Sequence, residues 1–182
     1  MAASSDAEAL VRFNAAMALE TERKVLLPEV IRAGVHHLLA HPGMGFYVMA
    51  ECEGEVAGSL MVTTEWSDWR NGNFWWVQSV YVRPEFRRRG VYRRLYQYLQ
   101  ERAAEDPTVC GFRLYVERDN ARAQATYRAA GMEQTHYLLF EELKPEDTFS
   151  AVTVTTTEGL AYTDFLFANG KLSAVKYQSY FD

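Results

Sequence analysis

The segment that most constrains this chain is a strand, a turn crowded with arginines and an amphipathic helix, in that order. Phe74 to Val82 is nearly continuous in large apolar residues, the pattern of a central strand, and Pro84 stops it. From Val91 to Ala104, Tyr92, Leu95, Tyr96, Leu99 and Ala103 recur at helical spacing, with Arg, Gln and Glu opposite. Between the two lies Glu85-Phe86-Arg87-Arg88-Arg89-Gly90, and Arg93 adds a fourth arginine just inside the helix. A helix N-terminus carries partial positive charge and free N–H groups, so cations gathered there are unfavourable until an anion joins them. Gly90 lets the backbone turn tightly enough for several N–H groups to converge on a phosphate. Taken alone, R-x-x-G also describes a solvated basic helix start. The GxxxxGK[ST] loop and the G-x-G-x-x-G fingerprint are both absent, which argues against nucleotide hydrolysis and a Rossmann site.

The rest of the chain alternates helices and strands. Leu10, Phe13 and Met17, with Ala9 and Ala16, form one stripe of a helix over residues 6–20, with Ser5 or Asp6 as its cap. Pro28 opens a second short helix that His41-Pro42-Gly43 ends. Residues 46–51 and 56–64 read as strands joined at Glu53-Gly54-Glu55, and residues 65–73 as a loop or wide hairpin. Phe112, Leu114 and Val116 alternate with Arg113, Tyr115 and Glu117 in a further strand. Asp119 or Asn120 caps a last helix, Gly131 terminates it, and residues 132–143 return as a strand. This gives a domain over residues 1–143. Residues 144–182 form a β-meander, with turns at Glu158-Gly159 and Asn169-Gly170, that covers a sheet edge or joins two copies as a homodimer.

Composition narrows the class. Hydrophobic residues make up 48% of the 182, ample for a folded core, and the net charge of −5 argues against a nucleic-acid partner. The chain holds two cysteines, Cys52 and Cys110, so no disulfide framework is implied. No apolar run approaches a membrane span, and the N-terminal residues lack the pattern of a signal peptide, so the expectation is cytoplasmic, with no membrane partner. His36, His37 and His41 lack the carboxylate or thiol that would complete a metal set, so no metal is expected.

Two motifs together resemble the GNAT superfamily of acetyl-CoA-dependent N-acetyltransferases. Val82-Arg83-Pro84 followed by Arg87-x-x-Gly90-x-Tyr92 is similar to the family's V-x-P strand end and Q/R-x-x-G-x-G/A turn. Asn120-x-x-Ala123-x-x-x-Tyr127-x-x-x-Gly131-Met132 is similar to its N-x-x-A-x-x-x-Y-x-x-x-G-F/M element. The resemblance covers roughly residues 6–142. It departs at Tyr92, where the family usually has Gly or Ala, and at the start, where the family's first strand has no counterpart in the short, polar Met1–Ser5.

The resemblance implies an α/β fold with a central, mostly antiparallel sheet splayed in the middle and flanked by helices. It also implies transfer of acetyl from acetyl-CoA to an amine by direct attack on the thioester. The cofactor is then expected against Val80, Tyr81 and Val82, against the turn of Arg87, Arg88, Arg89, Gly90, Val91, Tyr92 and Arg93, and against Asn120, Ala123 and Tyr127. Backbone groups near Gln78 and Ser79 would flank the acetyl arm, one N–H meeting the oxyanion. Tyr127 would protonate the leaving thiolate.

The acceptor must lose a proton, and Glu65, between a strand and the aromatic stretch, is the candidate base. Glu20 and Glu22, at the end of the first helix, are alternatives that would bind a cationic substrate. Trp66 and Trp69, with Trp75 and Trp76, read either as packing or as a cage for an alkylammonium group. The Thr63–Gly72 stretch is similar to the polyamine-acetylating branch of the family, which points to a small-molecule amine: a diamine, polyamine or lysine-like acceptor. A protein lysine or N-terminus would need an open groove, against which a loop over residues 65–73 would stand as a lid. A non-catalytic CoA-binding sensor is the reading from a different class.

Overall fold

A computed structural model describes residues 1–142, 151–153, 161–168 and 171–179. A single 3-10 turn at Ser4–Asp6 leads into helix α1 (Ala7–Glu22), strand β1 (Lys24–Leu26) and helix α2 (Pro28–Ala40). Strands β2 (Gly45–Cys52), β3 (Glu55–Ser67) and β4 (Gly72–Val82) follow as an antiparallel meander. After a 3-10 turn at Pro84–Phe86 come α3 (Val91–Glu105), β5 (Val109–Leu114) and α4 (Ala121–Ala129). The main sheet has the order β2-β3-β4-β5, with β5 parallel to β4. A parallel return needs a crossover, and α3 is that crossover.

The period-2 alternation of the strands sorts their side chains between two helical layers. Val48 of β2, Leu60 and Val62 of β3, and Trp75 and Val77 of β4 pack with Leu95, Tyr96 and Leu99 of α3. The intervening Tyr47, Met49 and Met61 face the opposite way, against Leu10 and Val11 of α1 and Val35 and Leu38 of α2. The result is the expected mixed α/β architecture, with a mostly antiparallel sheet between helices.

The sheet is irregular at one place. Ser59 pairs with Tyr81 and Met61 with Gln78, so Leu60 alone faces both Ser79 and Val80. This is a β-bulge, and Ser79 takes a left-handed φ of 48° to make it. On the other side of β4 the parallel ladder ends at Val77 paired with Leu114. Beyond that pair the two strands splay. The sequence pattern extended this strand over residues 112–117; the structure instead starts it at Val109 and releases the chain after Leu114, because bulged β4 offers no further ladder.

Four other expectations are corrected or bounded. Residues 65–73 are not a wide loop: β3 runs on to Ser67 and β4 begins at Gly72, with backbone bonds from Arg70 N–H to Ser67 O and from Asn71 N–H to Asp68 O closing a tight hairpin. Alternation through Glu65, Trp66 and Ser67 suits a half-buried strand, and Asp68–Asn71 supplies the turn. Residues 132–142 are not a strand but an irregular segment with Tyr137, Leu138, Leu139 and Phe140 exposed. An apolar run requires burial but does not name its partner, and no ladder partner lies among the described residues. No strand precedes α1; Ala2 N–H donates one bond to Tyr47 O on the outer edge of β2. In the C-terminal segment, β7 (Ala161–Ala168) and β8 (Lys171–Ser179) pair antiparallel, while β6 (Ala151–Thr153) pairs with β1 rather than with the main sheet. The turns expected at Glu158-Gly159 and Asn169-Gly170 lie outside the described residues.

Gly58 shows how closely β3 and β4 approach at the bulge. A Cβ there would sit 2.5 Å from the Tyr81 carbonyl oxygen and 3.2 Å from Val82 Cα, so backbone would have to move. Gly58→Ala is expected to destabilise the protein by about 1–3 kcal/mol, the usual cost of overpacking a rigid site. Urea unfolding measures it, and an unchanged midpoint would show that the strands separate freely.

Candidate functional site

The splay opens a cleft of about 790 Å³ between β4, α3 and α4. Beyond Val77 the β5-facing N–H and C=O groups of β4 have no ladder partner, and Gln78, Ser79 and Val80 form that wall together with Tyr81 and Val82. Unpaired backbone of this kind, next to a bulge, can hydrogen-bond an extended ligand as a missing strand would.

One end of the cleft is the turn into α3. Gly90 is the N-cap residue, left-handed at φ 79°, ψ 10°, and no side chain caps the helix. The first intrahelical bond runs from Arg94 N–H to Gly90 O at 3.0 Å, so the N–H groups of Val91, Tyr92 and Arg93 precede the helical ladder. Arg88 and Arg93 line the cleft beside Gly90, Val91 and Tyr92. Neither forms an ion pair among the described residues, and neither does Arg89. Arg89 does not line the cleft; its guanidinium lies over the Phe86 ring at 5.5 Å. Arg87 lines the cleft but is committed elsewhere. Its Nη2 meets Glu20 Oε2 at 2.5 Å and its Nε donates to Val82 O at 2.8 Å. Arg87 therefore ties the turn to α1 and β4, while Arg88 and Arg93 are the cations left for an anion.

The facing wall is α4. Asn120 Oδ1 accepts from Ala123 N–H at 3.0 Å, which fixes the start of the helix as the sequence suggested. The far end closes in a Schellman motif: Met132 N–H donates to Tyr127 O, Gly131 N–H donates to Arg128 O, and Gly131 takes φ 88°. Both ends being fixed, Asn120, Ala123 and Tyr127 face the cleft together. Burial raises the Tyr127 phenol above its ordinary value, so it stays protonated and able to donate through neutral pH. Arg122, also in the wall, went unnoticed in the sequence; its place in the first turn of α4, beside the Asn120 cap, was the available signal.

The last turn of α1 brings carboxylates to the same cleft. Glu20 and Glu22 line it, as does Glu117 from the segment that leaves the sheet after β5. Glu20 accepts from Tyr81 Oη at 3.2 Å as well as from Arg87, and Glu22 pairs with Lys24 Nζ at 2.6 Å. That bond holds the Lys24 ammonium above its ordinary pKa. The Glu117 carboxylate has no ion pair among the described residues. Glu117 looked like the outward half of an alternating strand, and only the splay turns it to the cleft.

Glu65, Trp66 and Trp69 do not line the cleft. Glu65 accepts from Trp76 Nε1 at 2.5 Å and from the Arg113 guanidinium, which itself lies 3.8 Å from the centre of the Phe74 ring. These contacts bind β3, β4 and β5 to one another and give the carboxylate a structural partner for each oxygen. Trp66 and Trp69 belong to the hairpin and are 58% and 86% exposed. No group of three His, Cys, Asp or Glu side chains sits at metal-binding spacing among the described residues.

The profile of the Acetyltransferase (GNAT) family matches residues 13–132. The chain belongs to that family of acetyltransferases, whose enzymes use acetyl-CoA as acyl donor. Among solved structures, it is similar to a possible acetyltransferase from Clostridium difficile 630, at 40% identity and a TM-score of 0.74, over 79% of this chain and 94% of that one. AAC(6')-Iy, solved with a CoA-S-monomethyl-acetylneamine bisubstrate analogue, shares the fold at 16% identity and a TM-score of 0.63, over 79% of this chain and 95% of that one. Ribosomal-protein-alanine N-acetyltransferase from Brucella melitensis biovar Abortus 2308 does so at 16% and 0.63, over 79% and 96%. No curated protein matches the chain.

The residues present fit acetyl-CoA: free N–H groups and unpaired arginines at one end, an open strand edge along the middle, and a protonated phenol facing it. Asn120→Ala removes the cap of the α4 wall and is expected to cost about 1 kcal/mol in urea unfolding. Asn120→Asp keeps the cap and should stay close to wild type; equal losses in both would show that the amide, not the cap, matters.

Proposed function

We propose that this acetyltransferase transfers acetyl to a small cationic amine, a diamine, polyamine or lysine-like acceptor, by direct attack on the acetyl-CoA thioester. The observation that carries the reading is a single cleft lined by the α3 turn, the open edge of β4, Tyr127 and the carboxylates at the end of α1. The thioester supplies an activated acyl carbon and a thiolate leaving group.

The chain's own groups divide the remaining work. The N–H groups of Val91, Tyr92 and Arg93, with the Arg88 and Arg93 side chains, hold the phosphates. The free edge of β4 at Gln78–Val80 aligns the acyl arm, and an N–H there meets the carbonyl oxygen as it gains charge. Tyr127 gives its proton to the sulfur as the bond breaks. Glu22 and Glu117 draw the ammonium group into the cleft. It sheds one proton to solvent before the neutral amine attacks, and the adduct sheds a second to solvent as it collapses to the amide. A peptide amine is the second reading, because the lid expected over residues 65–73 is a hairpin outside the cleft.

Tyr127→Phe removes the acid and is expected to lower kcat about 100-fold or more at saturating acetyl-CoA, with acetyl-CoA binding retained; unchanged turnover would remove Tyr127 from the role. Because burial raises its pKa, wild-type kcat should show no loss from Tyr127 ionisation below about pH 10, the value of an unperturbed phenol. Glu117→Gln is expected to raise KM for a diamine about 2- to 5-fold, as loss of one exposed charge pair would. Thiol release measured across monoamines, diamines, polyamines and lysine-containing peptides decides the acceptor. Turnover with peptides alone would overturn the small-amine reading.

A further inference from the structure

The cleft draws its walls from both faces of the sheet. Gln78 pairs with Met61, and Trp76 with Thr63, so Trp76 and Gln78 share the face on which Met61 packs against α1 and α2. Val77 points the other way, into the cluster built on α3, which Ala130 and Met132 at the end of α4 also join. The helices α3 and α4 therefore meet the cleft from one face of the sheet. Gln78, together with Glu20 and Thr21 of α1, borders it from the other.

Tyr115 belongs to this second face. It is the first residue after β5, and its ring packs on that of Trp76, with centroids 4.3 Å apart and planes 32° from parallel. Trp76 is fixed in turn by the bond from its Nε1 to Glu65. Tyr115 lines the cleft and is 53% exposed, more than its peptide unit alone could supply, so the ring and hydroxyl carry that exposure. No second ring meets it among the described residues, which leaves the face turned from the indole free. Glu117, two positions further along the chain, lines the same cleft. Trp66 and Trp69 lie outside the cleft, so the aromatic surface expected of them falls to Tyr115.

A fixed aromatic face attracts a cation through its ring quadrupole and covers the methylenes beside it. An amine cannot attack while protonated, so the reacting nitrogen of a diamine meets the thioester neutral while its second nitrogen stays an ammonium. An aromatic face and a nearby carboxylate are complementary to that second group. We propose that Tyr115 is a specificity-determining residue of the acceptor site, its ring holding the non-reacting ammonium and adjoining methylenes of a diamine or polyamine. The proposal rests on the small-amine reading of the cleft. It gives Glu65 an indirect part, through the indole that supports the ring.

Thiol release with diaminobutane and with butylamine, which has the same carbon chain and one nitrogen, tests it on wild type, Tyr115→Phe and Tyr115→Leu. Wild type should favour the diamine in kcat/KM. Tyr115→Leu keeps apolar bulk and removes the ring. It should lower the diamine-to-monoamine ratio about 2- to 5-fold, the range of an exposed cation–π contact, chiefly through KM for the diamine. Tyr115→Phe keeps the ring and should keep the wild-type ratio. Both variants should bind acetyl-CoA as wild type does in calorimetric titration. No diamine preference in wild type, an unchanged ratio in Tyr115→Leu, or an equal loss in both variants would each overturn the proposal. So would a loss of acetyl-CoA affinity that matches the loss for the diamine, which would show a structural role. Wild type that turned over peptides alone would instead overturn the small-amine reading, and the proposal with it.

Discussion

The separation of β4 from β5 after Val77 and Leu114 is the feature on which the rest of the site depends. One additional residue in β4, opposite Leu60 at Ser79 and Val80, bends the strand and breaks its register with β3. The left-handed Ser79 shows that local strain accompanies the bend. The fully buried Leu60 and the tight approach of Gly58 to Tyr81 and Val82 hold the bulge in place from the other side. A regular β4 would continue its ladder with β5, and the backbone groups now facing the cleft would be consumed by the sheet.

Charges of both signs line the same opening. Arg88 and Arg93 stand at a helix N-terminus that already favours anions, while Glu22 from α1 and Glu117 from the segment after β5 line the same cleft. Arg87 and Glu20 cancel one another and tie the α3 turn to the end of α1, beside Val82 O and the Tyr81 hydroxyl. Among the described residues, the unpaired arginines at the α3 turn suit the phosphates of acetyl-CoA.

Much of this was legible in the sequence, for identifiable reasons. The α3 turn, the Asn120 cap and the Gly131 stop are local: each is determined by residues within a few positions, so spacing suffices to read it. The two-faced strands followed from alternation, and α1, α2 and α3 from helical periodicity. What could not be read was tertiary. Glu65 looked like a free acid beside an aromatic loop, yet Arg113, 48 positions away, and Trp76 take both its oxygens. Glu117 looked like a solvent-facing strand residue because the pattern of alternation continues past the point where the ladder stops. The apolar run Tyr137–Phe140 signalled a strand, but a strand exists only where another edge receives it. Arg87 matched the motif, and only the fold shows that Glu20 and Val82 hold it.

The central claim is positional: acetyl-CoA lies along the open edge of β4, with its phosphates at the start of α3. The most direct test is an amide-resolved NMR titration of the ¹⁵N-labelled protein with acetyl-CoA. The account predicts that the largest shifts fall at Gln78–Val82, Gly90–Arg93 and Asn120–Tyr127, with the hairpin amides at Trp66–Asn71 unmoved. Saturable shifts centred on the hairpin, or binding that leaves Gly90–Arg93 unperturbed, would contradict it.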